Sequence, residues 1–443
     1  MDADTAPTAS TGLGEAQIPS APYRGYILLM CLIVGALSTF DKRILSMLIT
    51  PIRKEFDLDD AQLGLLMGMA FAIMYLVACI PAARLADRWS RRNVVALSVA
   101  TWSAMTLACG MAANFWQLFA ARIGVGMGEA GAAPAMQALI SDNFPQKQRG
   151  TAFSVYLLGP AIGIGLGTWF GGWALVHYDW RWAFILAGLP GLIVAPLFWL
   201  TIRNSRAGTS DGAGQDIEQR SLAETLKILL SIRTIPLMLC GVMASALVSM
   251  GVTDWLPQFL ERSHGVGPAE FGAKLGLSMA LGSVIGHIVG GPLADFQARR
   301  DPRWHLWQPA ILALIGAGLG AISYTGPLNQ VYVLAGVQLM LSGLFAAPLL
   351  HIVTTLAPVG ARATSAALAM ISVSLVGLGF GPWMIGVLSH YLQPTYGEES
   401  LRMAMLCTLL LAIPVAIFFV LASRHYRPDL DRARERLGLS KSA

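Results

Sequence analysis

Runs of about twenty apolar residues recur from one end of this 443-residue chain to the other. A helix of that length spans the hydrocarbon core of a bilayer, about 30 Å thick, with every backbone polar group satisfied internally. The runs place spans near 24–46, 61–83, 93–113, 116–140, 151–175, 182–201, 235–259, 271–295, 307–325, 330–356, 363–390 and 402–422. Only 13% of residues are charged, against about 25% in soluble domains. Twelve spans and short loops nearly exhaust the length, so no sizeable soluble domain is expected. The expected fold class is an all-α membrane protein of 12 transmembrane helices.

Residues 1–22 form a polar tail without a basic start or a cleavable apolar core, so span 1 is expected to be retained. Of the 31 Lys and Arg, 22 fall in segments on the side of the termini and seven on the other, with Lys42 and Arg122 inside spans. That asymmetry predicts cytoplasmic termini, and short outer loops suit a bacterial inner membrane. The basic residues are scattered through loops, so no nucleic acid partner is expected. Five cysteines sit in apolar segments at unrelated spacings, without a disulfide or metal pattern. No zinc spacing, Ser-His-Asp arrangement or nucleotide motif occurs. No metal or cofactor is therefore expected, nor a catalytic site, and the chain reads as no enzyme.

The polar stretch 203–233 divides the chain into two six-span bundles, 23–202 and 234–423, followed by a tail, 424–443. The halves echo one another. Arg84-Leu85-Ala86-Asp87 recurs as Pro292-Leu293-Ala294-Asp295, and Ala132-Ala133-Pro134 as Ala346-Ala347-Pro348. Repeated halves around a midplane site are the plan of secondary transporters.

Charge inside the spans marks the candidate site. An ionisable group at membrane depth costs at least about 2.5 kcal/mol on insertion scales, so such groups are functional candidates by default. Arg122 and Glu129 stand seven residues apart in span 4, on one helix face about 10 Å apart along the axis. Asp41 lies about 25 Å from the inner end of span 1, at the height of Arg122, which allows an Asp41–Arg122 ion pair. Arginine lowers a neighbouring carboxyl pKa while an apolar cavity raises it. Asp41 and Glu129 are thus the expected proton carriers, with Arg122 moving between them. Arg122, Lys42, Glu129 and His351 are the candidate substrate contacts.

The inner loop 2–3 reads Ala83-Arg84-Leu85-Ala86-Asp87-Arg88-Trp89-Ser90-Arg91-Arg92. It resembles the loop signature of the major facilitator superfamily, with Ala83 and Ser90 where that family has glycine. Asp87, Arg88 and Arg91, with Asp295 in the second copy, are the expected inner gate. Arg122-(x)3-Gly126-x-Gly128-Glu129-Ala130 in span 4 resembles the pattern of spinster-like transporters. So does Thr39-Phe40-Asp41-Lys42-Arg43-Ile44-Leu45 in span 1, with lysine at 42 in place of arginine. The resemblance implies the major facilitator fold, two pseudo-symmetric six-helix bundles, alternating access and an amphipathic lysolipid or sphingosine-1-phosphate-like cargo. Proton-coupled symport of small organic anions, such as sugar or aromatic acids, is the alternative. The expected partners are that amphipathic or anionic cargo, protons and membrane lipid, and the expected assembly is a monomer.

Overall fold

A computed structural model of the chain describes residues 19–75, 77–78, 81, 90–203, 222–357, 365, 369 and 372–436. Among these there is no strand. The spans are, in order, Ala21–Phe56, Asp60–Tyr75, Arg91–Gly110, a broken span 4 (Phe115–Glu129 and Ala132–Asn143), Gln146–His177, Trp180–Thr201, Thr234–His264, Pro268–Ala298, Trp304–Thr325, Leu328–Leu356, a span 11 ending in Gly381–Tyr396, and a span 12 of Ser400–Leu409 and Ala412–Arg436. Among the described residues, seven helices are individually long and apolar enough to cross a membrane. The chain adopts the expected 12-helix fold, with spans 1–6 and 7–12 as its two halves.

The outer surface is inverted relative to a water-soluble protein. Ile193, Leu200, Leu277 and Val333 are each more than 60% exposed, which suits a molecule surrounded by hydrocarbon rather than water. Polar residues turn inward instead.

Span 1 differs from its expected extent. It runs on to Phe56, where Asp57 stops it in the left-handed region at φ 51°. Its 36 residues make a rod of about 54 Å. Arg43 is therefore not at the outer end of the span but buried well within a helix. Span 12 also continues as helix to Arg436. There Asp429 accepts hydrogen bonds from the backbone N–H (3.0 Å) and hydroxyl (2.6 Å) of Thr234, tying the tail to the start of span 7.

Glycines bring backbones together where the halves meet. A Cβ on Gly68 would lie 2.2 Å from the carbonyl oxygen of Gly379, and one on Gly172 2.3 Å from that of Pro268. Gly68 sits in a π-helical turn of span 2, Leu65–Met69, and Gly379 in one of span 11, Leu375–Phe380. Two local expansions of the helix thus touch across the interface, and such turns gather at functional positions. Within the first half, Gly126 and Gly128 let span 4 lie directly on Phe71 of span 2 and Trp102 of span 3.

Candidate functional site: a charged cavity between the halves

A cavity of about 360 Å³ lies between the halves, lined by spans 1, 2, 4, 5, 7, 8, 10 and 11. Lys42, Arg43 and Arg122 line one wall, and Ser245, Ser249, Ser283, His287 and Ser342 the other. An apolar chamber of about 110 Å³ opens into the second half. Five residues, Ser245, Ser249, Thr253, Leu339 and Ser342, line both spaces, so they adjoin. Small residues of span 9, Ala313, Gly316 and Ala317, keep the chamber open.

Span 4 breaks immediately after Glu129, at Ala130–Gly131, which sets this carboxylate at the end of a half-helix. Glu129 is 3% exposed. It pairs with Lys42 and accepts a hydrogen bond from Ser38 at 2.7 Å. Lys42 also donates to Ser38 at 3.0 Å and lies over the Phe71 ring, 5.1 Å from its centre. Lys42 stands four residues after Ser38, one helical turn on, so both meet Glu129 on one face.

Asp41 and Arg122 are each 2% exposed. Asp41 accepts from Thr106 at 3.3 Å through Oδ2, while its Oδ1 has no hydrogen-bond partner. Arg122 leaves Nε and Nη1 without one. The ion pair formed here is Lys42–Glu129 rather than the expected Asp41–Arg122. Arg122 remains within electrostatic reach of Asp41 and of Asp254. An unsatisfied buried donor or acceptor costs about 1–3 kcal/mol, more for a charged group. Arg122 lines the cavity, whereas Asp41 and Glu129 stand behind its wall, so the unsatisfied guanidinium of Arg122 is the group that a charged visitor would complete.

Two residues outside the expected set join the site. Arg43 donates through Nη1 to Asp254 at 2.8 Å and to the Thr253 carbonyl at 3.1 Å, crossing from span 1 to span 7. The legible signal was the apolar run Ile44–Ile49 behind Arg43, which continues the span past the charges. Nothing in the sequence pointed to a partner 211 residues away.

Above this bridge, Asp60 accepts a two-point ion pair from Arg262 at 2.6 and 2.8 Å, and a hydrogen bond from Ser389 at 2.7 Å. Thr50 meets Gln258 at 2.6 Å and also Glu261. Among the described residues, the hydrogen bonds and ion pairs joining the two halves all lie in the part of the molecule away from the termini. The cavity is closed at that far end.

At the other end, Asp87 and Arg88 lie outside the described residues. Arg91 pairs with Asp142 and donates to the Ala138 carbonyl at 3.0 Å, all within the first half. Asp295 ends span 8 within electrostatic reach of His305 and His351. The rings of those histidines lie 4.4 Å apart, tilted by 34°. His351 does not line the cavity; the histidine that does is His287, held by its own helix through the Ser283 carbonyl at 2.8 Å.

Comparison with known proteins agrees with this architecture. A solved bacterial homologue of the human lysosomal transporter Spinster, in an inward-facing and unoccupied conformation, superposes with a TM-score of 0.83 at 28% identity, covering 93% of this chain and 99% of its own. An MFS-type efflux pump of Mycolicibacterium smegmatis is 29% identical over 90% of this chain and 92% of its own length. The sphingosine-1-phosphate transporter SPNS2 of Danio rerio is 25% identical over 91% and 84%. A probable galactarate/D-glucarate transporter, GudP of Bacillus subtilis, is 25% identical over 62% and 66%. The sequence profile of the Major Facilitator Superfamily matches residues 31–382. The chain is an integral, multi-pass membrane transporter rather than an enzyme, and it belongs to the Major Facilitator Superfamily as a spinster-like member.

Proposed function

We propose that this transporter moves an amphipathic anion, a lysophospholipid or a sphingosine-1-phosphate-like lipid, driven by protons. One observation carries the proposal: a single cavity has a cationic wall, Lys42, Arg43 and Arg122, and adjoins an apolar chamber on its opposite side. A head group bearing phosphate suits the first, because guanidinium and ammonium groups bind phosphate strongly. An alkyl chain suits the second, because apolar cavities stay dry and gain from apolar filling. The similarity to the sphingosine-1-phosphate transporter SPNS2 of Danio rerio supports the same class.

The driving ion enters through Glu129 and Asp41. Protonation of Glu129 removes the charge that holds Lys42, and Lys42 then turns to the cargo. Asp41, with one bare oxygen beside Arg122, accepts the second proton or exchanges it with Glu129. Such carboxylates inside a membrane are the usual parts of proton relays. The termini face the cytoplasm of a bacterial inner membrane, and the monomer is the working unit.

The test is uptake by purified protein in liposomes under an imposed inward proton gradient, with lysophosphatidate, sphingosine-1-phosphate and galactarate offered separately. Gradient-dependent accumulation of the lipids, lost in Glu129→Gln, supports the proposal. Accumulation of galactarate alone favours the organic-acid relatives and overturns the lipid assignment. A rate indifferent to pH removes Glu129 and Asp41 from coupling.

A further inference from the structure

Among the described residues two ion pairs join the halves, and they are built differently. Arg262 spends both terminal nitrogens on Asp60, which Ser389 holds from the other side. Neither Arg262 nor Asp60 lines the central cavity. Arg43 spends only Nη1 on Asp254 and the Thr253 carbonyl. Its Nε and Nη2 are buried without a partner, although the residue is only 4% exposed. Both Arg43 and Asp254 line the cavity.

A guanidinium presents five N–H donors in a planar fork that matches the oxygens of a phosphate or carboxylate. At Arg43 the fork is half used. Arg43 itself lines the cavity on the wall that also holds Lys42 and Arg122, so its unused donors become available when its side chain turns from Asp254. Lys42 is already committed to Glu129. Arg122 acts on Asp254 from span 4, so Asp254 keeps a compensating cation when its own partner turns away.

We propose that Arg43 is an anion-binding residue for the cargo, and that the cargo's oxyanion replaces Asp254 on it. The exchange couples loading to release. An anion with two or more acceptor oxygens takes the fork, Asp254 moves under the field of Arg122, and the ionic tie across the cavity is lost as cargo arrives. A neutral cargo has no charge with which to displace a carboxylate from the fork and leaves the tie in place. The inference rests on the proposal that the cargo is anionic.

The experiment is equilibrium binding to the purified full-length protein in lipid nanodiscs, with lysophosphatidate as the anionic probe and monoacylglycerol as its uncharged counterpart. Asp254→Asn leaves Arg43 without a competing charge and is expected to bind lysophosphatidate about tenfold more tightly. Arg43→Gln is expected to bind it at least tenfold more weakly, and neither variant changes monoacylglycerol binding. Opposite shifts are the signature, because a purely structural clasp is broken equally by either change. The charge swap Arg43→Asp with Asp254→Arg covers the chance that a single variant fails to fold. It restores the tie, so a swapped protein with wild-type thermal stability and weak lysophosphatidate binding supports the proposal. Equal or parallel shifts in the two single variants, or wild-type binding in the swap, overturn it while leaving the anionic cargo standing. Failure of the wild type itself to bind the probe overturns both.

Discussion

Spans 1 and 4 bring Asp41, Lys42, Arg43, Arg122 and Glu129 together, whereas spans 7, 8 and 10 face the same cavity with serines, a histidine and one carboxylate, Asp254. The first half concentrates charge and the second provides room, in the chamber behind Ser245 and Ser249. Two bundles with the same plan have therefore been filled by different chemistry. A buried charge is expensive alone and tolerable in company, so charges gather on one side rather than spread evenly. The second half, whose one charge at the cavity is Asp254, is then free to hold apolar cargo in the chamber behind its serines.

Glu129→Gln tests the charged half most severely. It leaves Lys42 in the cavity without its partner and removes a proton site. Breaking one side of a buried ion pair costs about 3–5 kcal/mol. Proton-driven uptake should fall at least 100-fold, while counterflow of cargo without a gradient should survive in part. Equal loss of both would mean that Glu129 only holds the helices together.

Asp60→Asn comes next, and it acts on the seam rather than on either half. The amide cannot match the two-point pair with Arg262 and leaves that cation largely unpaired. A far end that opens more readily is expected, by about 2–3 kcal/mol. Faster labelling of a cysteine placed beside Gln258 would register it. Gly68→Ala works on the same seam from the opposite direction. Its methyl group would collide with the Gly379 carbonyl, and overpacking of this kind costs about 1–3 kcal/mol. The far end should then fail to close fully, and transport should slow with little change in cargo affinity.

Much of this arrangement was legible in the sequence, and the remainder was not, for physical reasons. Hydropathy located the spans because a bilayer demands about twenty apolar residues from each. Intramembrane charge located Asp41, Arg122 and Glu129, and depth arithmetic placed Asp41 at the height of Arg122 with Glu129 one to two turns deeper. Depth does not fix the angle about the helix axis, so the partner of Glu129 proved to be Lys42 rather than Arg122 taking Asp41. Arg43 was missed for a different reason. Arg43 stands near the expected end of span 1 at 46, where a charge reads as interfacial, but the helix runs on through Pro51 and stops only at Asp57. Bridges such as Arg43–Asp254 and Asp60–Arg262 join residues about 200 positions apart, and one sequence carries no trace of such pairings.

A bulky side chain in the second half sharpens the contrast further. Ala317→Phe would fill much of the chamber. Transport of long-chain lysophosphatidate should drop about tenfold, roughly the value of two buried methylene groups, whereas a short-chain analogue should be spared. Equal loss for both would show that the chamber holds no tail.

The smallest effect belongs to a charge pair outside both cavity walls. Glu55 accepts from Arg181 at 2.6 and 2.7 Å and from the Trp180 indole at 2.7 Å. These hydrogen bonds, Arg181 first, hold its carboxyl below the usual carboxylate range. A depressed pKa stabilises the folded state at neutral pH, and the contribution fades as pH falls through the ordinary carboxylate range toward the lowered value. The Glu55 side chain is 40% exposed, so water screens the pair and its worth is at most about 1 kcal/mol. Glu55→Gln should lower the melting temperature by a few degrees or less at pH 7 and leave it unchanged near pH 3. Uptake should match wild type, because neither residue lines the cavity. A large loss of uptake in this variant would mean that the loop joining spans 5 and 6 takes part in opening the far end. The division of labour between the two halves would then have to include their rim.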